Sequence, residues 1–286
     1  MSASPRYTLT FSCPDTTGLV AAVTTLTASF DGWIVEAAQH ADPDTGRFFM
    51  RQEIRADSVP FDIHELRRRF TPLAERFDMH WQIRDPRRPH RVMLLCSKQS
   101  HCLADLLHRH ATGDLRFHLC GVISNHQDLR PLCEFHGTPY HHVPVDPADK
   151  APAFEIIQQL CADAEAETIV LARYMQIMPP PLCADYHGRM INIHHSFLPS
   201  FIGARPYHQA HDRGVKLIGA TCHYVTADLD AGPIIEQDVV RVTHAHDPAE
   251  LTRRGRDVER LVLTRGLRYH LEDRVLIDGN KTIVFA

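Results

Sequence analysis

From Tyr7 to Ser12 apolar and polar residues alternate, the two-residue period of a strand. Cys13-Pro14-Asp15 reads as a turn, and Leu19, Val23, Leu26 and Phe30 then recur at the spacing of one helix face. Two strand-like runs follow, roughly 33–40 and 48–54, parted by the turn residues Asp42-Pro43-Asp44-Thr45-Gly46. Ile63, Leu66, Phe70, Leu73 and Phe77 mark a second helix, with Asp62 placed to supply negative charge at its start. A strand at about 79–83 closes the unit.

The order βαββαβ predicts a ferredoxin-like split motif. The stretch Arg84-Asp85-Pro86-Arg87-Arg88-Pro89-His90 is charged and twice interrupted by proline. Residues 85–90 are therefore read as a linker between a domain at 1–84 and another at 91–286. Beyond it the pattern changes to an apolar strand near 92–95, a helix near 101–110 and a strand near 118–124. A loop and helix lead to a strand near 140–143. Pro152 opens a helix to about 162, and 168–171 is wholly apolar. Uninterrupted apolar strands separated by helices predict a mainly parallel sheet covered on both faces. Strands near 190–193, 217–224 and 234–242 follow, then a long helix over 248–271. A terminal hairpin, 274–277 with 282–285, turns at Asp278-Gly279-Asn280.

Composition narrows the function classes. The chain has 286 residues, enough for two ordinary domains, and a formal charge of −4 that gives no basic field for nucleic acid. No apolar run approaches a membrane span, and the first residues lack a signal-peptide core, so a cytoplasmic protein is expected. Eight cysteines form no Cys-x-x-Cys pair and read as small buried hydrophobes. The 21 histidines invite a metal reading. However, adjacent pairs such as His141-His142 point apart on a strand, and none has a third ligand at a recognisable spacing. No metal is expected.

The densest polar chemistry is Asn192-Ile193-His194-His195-Ser196-Phe197-Leu198-Pro199-Ser200, beyond a strand's carboxyl end, where open parallel sheets bind ligands. Asn192 and His194 are two apart and share a strand face, so an amide and an imidazole converge as a developing oxyanion requires. Thr226-Ala227-Asp228-Leu229-Asp230-Ala231-Gly232-Pro233 supplies an acidic loop after a strand carrying His223. Asp230 is there to orient and charge-stabilise His194, or to accept a proton from water.

These segments resemble the folate-dependent formyltransferase family, whose catalytic trio of Asn, His and Asp maps onto Asn192, His194 and Asp230. The match runs from about Arg91 to the C-terminus. It implies that Met175, Gln176, Ile177 and Met178 contact the pterin of a folate. Thr226, Asp228, His195, His101 and His223 are read as further substrate-contacting residues. Ser97-Lys98-x-x-His101-Cys102-Leu103, Ser124-Asn125-His126, the doubled His194-His195 and Pro206-Tyr207-His208-Gln209-Ala210 resemble the deformylating branch of that family. So does the βαββαβ unit in front, which is similar to an ACT domain.

The implied fold is α/β, a ferredoxin-like ACT domain followed by a Rossmann-like formyltransferase domain. The implied reaction is hydrolysis of 10-formyltetrahydrofolate to tetrahydrofolate and formate, with folate and water as partners and no cofactor. The alternative is formyl transfer to an amine acceptor. A transferase for a nucleotide amine needs a glycine-rich turn of amides to hold phosphate, and Cys96-Ser97-Lys98-Gln99-Ser100-His101 has no glycine. The resemblance further implies a homodimer or homotetramer and a methionine or glycine effector held at Asp15 and Gly18. A simple turn-and-cap role for those two stays open. His101, Asn125 and His208 either line an acceptor side or serve as loop and cap residues, and His195 either contacts substrate or packs.

Overall fold

The alternation at the start of the chain becomes β1 (Arg6–Pro14), and Leu19, Val23 and their neighbours become α1 (Leu19–Ala28). Next come β2 (Ile34–Asp42), β3 (Arg47–Arg55), α2 (Ile63–Arg76) and β4 (His80–Arg84). The computed structural model describes residues 5–198 and 206–286. Asp62 caps α2 as its position suggested, its carboxylate accepting the Glu65 N–H at 2.9 Å. The sheet order is β2-β3-β1-β4 with every pair antiparallel, the ferredoxin-like arrangement. The core is aromatic: Phe11 is 1% exposed and its ring lies 6.0 Å from that of Phe48 and 6.4 Å from that of Phe70.

β1 departs from simple alternation because its polar face is buried too, at Thr8, Thr10 and Ser12. The C-terminal hairpin, β12 (Val275–Asp278) and β13 (Lys281–Val284), supplies the reason. Contacts divide the chain into two units. One ends at Pro89 and includes Glu272–Asp278 and Ile283–Ala286; the other is His90–Leu271 with Gly279–Thr282. Most of the hairpin thus groups with the first unit, whereas sequence placed it in the second. Polar contacts invisible to hydrophobic pattern explain this. Buried Arg51 donates to the Glu272 carbonyl at 3.1 Å, and Gln82 donates to Asp273 at 3.2 Å.

The second unit begins with β5 (Arg91–Cys96), α3 (His101–Ala111), β6 (His118–Ser124), α4 (Arg130–Phe135) and β7 (Tyr140–His142). It continues through α5 (Ala151–Asp163), β8 (Thr168–Leu171), α6 (Pro180–Asp185), β9 (Met190–His194) and α7 (Pro206–Arg213). β10 (Leu217–Tyr224), β11 (Ile234–Arg241) and α8 (Pro248–Leu271) complete it. Sequence missed α6 and α7. Both are too short for a helical period to register, and α6 starts inside a run of three prolines that suit a first turn.

The sheet order β11-β10-β9-β8-β5-β6-β7 is parallel from β9 to β7 and antiparallel at β10 and β11. After β7 the chain returns to the other side of β5, so the order reverses between β5 and β8. At such a switch point the two outgoing chains diverge and leave a crevice. α8 lays Leu251, Val258, Val262, Leu263 and Leu267 inward. Gly255 and Gly266 sit on the same stripe, where a Cβ would meet the Tyr207 ring at 2.1 Å or Cys222 Sγ at 2.4 Å. Among the described residues no helix is long and apolar enough to cross a membrane.

Replacing Phe11 by alanine removes the centre of the first unit's core. The expected loss is about 3–5 kcal/mol, read as an earlier urea midpoint for that unit.

Candidate active site

The crevice at the switch point is a cavity of about 550 Å³ inside the second unit. Its walls come from the segment after β8 (Arg173 to Met178), the end of β9, the loop between β10 and β11, and one face of α8. Ser97, just past β5, holds the two sides of the switch together. Its N–H donates to the Arg173 carbonyl at 3.3 Å, and its Oγ accepts the Met175 N–H at 3.0 Å. Its own hydroxyl proton goes to Asn125 Oδ1 at 2.7 Å.

Two antiparallel strands place the central groups. β9 pairs with β10 so that Asn192 lies opposite His223 and His194 opposite Thr221. The His223 Nδ1 faces the Tyr224 carbonyl at 2.8 Å and must carry a proton there. Its Nε2 then accepts from the Asn192 amide nitrogen at 3.2 Å, which fixes the amide and leaves its second N–H for the cavity. Beyond β10 the loop doubles back and brings Asp230 onto both imidazoles. Its carboxylate lies 3.1 Å from His194 Nδ1 and 3.6 Å from His223 Nε2.

Asp230 adopts a left-handed backbone, φ +55°, which aspartate tolerates better than most residues. The return path needs Gly232, because a Cβ there would stand 1.8 Å from the Tyr224 carbonyl oxygen. Burial alone would raise the Asp230 pKa. The hydrogen bond and charge of His194 outweigh it and hold the carboxyl well below the usual range. Asp230 is therefore an anion at neutral pH. With Nδ1 committed to it, His194 turns Nε2 away; that atom is buried and makes no hydrogen bond to the described residues.

All the candidate substrate residues line this one cavity: Met175, Gln176, Ile177, Met178, Thr226, Asp228, His195, His101 and His223, together with Asn192, His194 and Asp230. Met175 and Ile177 are 55% and 58% exposed, an apolar surface facing open space. His195 is mostly buried beside His194 and Tyr207, ring centroids 5.2 and 6.3 Å away. Burial, then the Arg173 charge, pushes its pKa down to about 4, so it is neutral at neutral pH. Of the acceptor-side candidates, His101 and His208 reach the cavity, while Asn125 is bonded to Ser97. Leu198 is anchored by its N–H to Thr221 Oγ1 at 3.0 Å; Pro199 and Ser200 lie outside the described residues. Asp15 and Gly18 belong to the first unit. Gly18, φ +91°, ends the turn into α1, and the Asp15 N–H bonds the Gly46 carbonyl.

Sequence reading missed Glu259. It sits on the buried stripe of α8, 1% exposed, and it lines the cavity. His101 Nε2 lies 2.8 Å from its Oε2, Arg173 Nε 3.3 Å from the same oxygen, and the Tyr207 hydroxyl donates to Oε1 at 2.5 Å. These partners outweigh the burial that would raise its pKa and keep it below the ordinary carboxylate value. The available signal was a lone acid among Leu251, Val258, Val262 and Leu263. His101, Cys102 and Glu259 present ligand-type atoms within 4.8 Å of one another. They suit a metal poorly: the carboxylate already takes the Tyr207 hydroxyl and His101 and is ion-paired with a guanidinium, and burial pushes the Cys102 thiol far up.

The chain belongs to the formyl transferase family, whose profile matches residues 90–267. Its likeness to the deformylating members runs through both units. It is 45% identical to formyltetrahydrofolate deformylase of Corynebacterium sp. (strain P-1) over 99% of each chain. The crystal structure of a formyltetrahydrofolate deformylase from Pseudomonas syringae pv. tomato superposes with a TM-score of 0.99 at 58% identity, covering 100% of this chain and 96% of that one. Glycinamide ribonucleotide transformylase 1 from Symbiobacterium toebii matches less of it, with a TM-score of 0.65 at 27% identity over 70% of this chain and 95% of that one.

Two outcomes follow from this geometry. Gly232→Ala forces the loop off the Tyr224 carbonyl and displaces Asp230, so turnover falls at least about tenfold while the melting temperature drops only modestly. His195 has a folded pKa near 4, below its unfolded value of about 6.5. The unfolded state thus binds more protons between those values, and stability declines as pH falls across that window. His195→Gln removes that part of the decline, seen as a flatter melting temperature between pH 7 and 4.

Proposed function

We propose that the protein hydrolyses 10-formyltetrahydrofolate to tetrahydrofolate and formate. The observation that carries this reading is the buried His194 Nε2. Asp230 supports it from behind and Asn192 stands beside it, in a cavity walled on one side by Met175, Gln176, Ile177 and Met178. That apolar wall takes the flat pterin, and Thr226 and Asp228 border it on the other side of the loop. Similarity to deformylases over the whole chain supports water as the acceptor, as does the glycine-free turn after β5.

Water adds to the formyl carbon, and the carbonyl oxygen becomes an anion that the Asn192 amide and protonated His194 stabilise. Asp230, negative and hydrogen-bonded to Nδ1, orients the imidazole and draws the proton from water as attack proceeds. The C–N10 bond then breaks with its electron pair on N10, which takes up the proton drawn from water, handed on by His194 or a water molecule, and formate leaves as its own acid proton passes to solvent. His223 keeps Asn192 aimed, and His195 and His101 are read as facing the water side. No cofactor enters this scheme, because the substrate brings the formyl group.

The first unit we read as an ACT-like module for assembly into a homodimer or homotetramer, with Asp15 and Gly18 as the place for a methionine or glycine effector. Trp33, 61% exposed beside edge strand β2, supports the assembly role. Eight free cysteines support a cytoplasmic location.

Formate release measured without any amine acceptor tests the reading. Wild type should release formate stoichiometrically with tetrahydrofolate; dependence on an added amine would overturn it. Asn192→Ala and His194→Ala should each lower turnover by about 100-fold or more. Asp230→Asn should do comparable damage, and near-normal turnover in His194→Ala would refute its role.

A further inference from the structure

The parallel strands β8, β5 and β6 lie side by side and end level, with Leu171 opposite Leu95 and Cys96 opposite Ser124. The residues that follow each strand are therefore neighbours: Ala172 and Arg173 on one side, Ser97 in the middle and Asn125 on the other. Ser97 is 4% exposed and bonds in both directions. Toward β8 its N–H donates to the Arg173 carbonyl at 3.3 Å, and its Oγ accepts the Met175 N–H at 3.0 Å. A hydroxyl used in this way as an acceptor has one proton left to place. Toward β6 that proton goes to Asn125 Oδ1 at 2.7 Å.

The Ser97 bonds span a strained residue. Arg173 has a left-handed backbone, φ +64°, which a residue with a side chain keeps only where neighbouring bonds over-determine it. One Ser97 bond fixes its carbonyl and the other fixes the amide two residues on. Asn125 is seated in turn by its own neighbours. Ser124 Oγ accepts the His126 N–H at 3.2 Å, the Tyr140 hydroxyl donates to the His126 carbonyl, and the Val143 N–H donates to the Ser124 carbonyl at 2.8 Å. The lining of the cavity includes Arg173 and Met175, while Ser97 and Asn125 are not part of it.

We propose that Ser97 and Asn125 are positioning residues for substrate affinity: Asn125 orients the Ser97 hydroxyl, and Ser97 fixes the backbone from Arg173 to Met175 on which the apolar wall begins. This proposal rests on the reading of that wall as the seat of the pterin. The pterin ring is unchanged as the formyl group leaves, so a wall that holds it does so equally before and at the transition state. Displacing such a wall raises KM and leaves kcat nearly as it was. A residue serving the water side would instead lower kcat.

The test combines steady-state kinetics of acceptor-free formate release with calorimetric binding of tetrahydrofolate. Ser97→Ala leaves the Met175 N–H without its acceptor, and KM and the tetrahydrofolate Kd should both rise about tenfold, with kcat within about threefold of wild type. Asn125→Ala keeps the Ser97 oxygen but removes the acceptor that orients it, and should raise both constants about threefold or more. Asn125→Asp retains an oxygen for the Ser97 hydroxyl and should restore wild-type affinity. Because Asn125 acts through Ser97, the double alanine variant should bind no more weakly than Ser97→Ala alone. Should Ser97→Ala not fold, the contrast between Asn125→Ala and Asn125→Asp decides. Wild-type affinity in Ser97→Ala or Asn125→Ala, a loss confined to kcat, additive losses in the double variant, or Asn125→Asp as weak as Asn125→Ala would overturn the proposal. A wild type that neither releases formate nor binds tetrahydrofolate would overturn the hydrolytic reading instead.

Discussion

The second unit turns on one carboxylate caught between two imidazoles. Asp230 is half-buried, ionised and held in a left-handed conformation, and it reaches His194 and His223 at once. Each contact settles a different question. The bond to His194 determines which of its ring nitrogens is left over, and on the other side the carboxylate lies 3.6 Å from the imidazole that pairs with Asn192. Loss of the anion would therefore release the His194 ring that it holds.

The sheet makes that meeting possible. Parallel strands on both sides of the β5–β8 reversal open a crevice, and Ser97 ties its lips together. The antiparallel addition of β10 sets His223 across from Asn192 in register, which a parallel neighbour reached by a long crossover would not do so economically. Since side chains alternate across a strand, a slip of one residue between β9 and β10 would turn His223 to the far face. The site is as much a product of register as of residue type.

Much of this was legible in the chain. The βαββαβ order, the parallel strands, the Asn192-x-His194 pair and the Asp230 loop follow from period, from proline and glycine placement and from polar residues at strand ends. What escaped has a common cause. α6 and α7 are too short to show a period. The segment leading into the terminal hairpin is held by Arg51 and Gln82, polar residues that pattern reading assigns to the surface. Glu259 was hidden because an acid within a long amphipathic helix reads as solvent-facing; only the partners brought by α3, β8 and α7 make its burial tolerable. Sequence reveals polar groups at strand ends more readily than a buried charge and the partners that balance it.

The cysteines take on another meaning beside this chemistry. Seven of the eight are buried, and burial pushes Cys102, next to the cavity-lining His101, far above an ordinary thiol pKa. A protonated, enclosed sulfur is a poor nucleophile. A protein that activates an acyl donor in its own interior thereby avoids trapping the acyl group as a thioester on itself, and its catalytic capacity does not erode with each turnover.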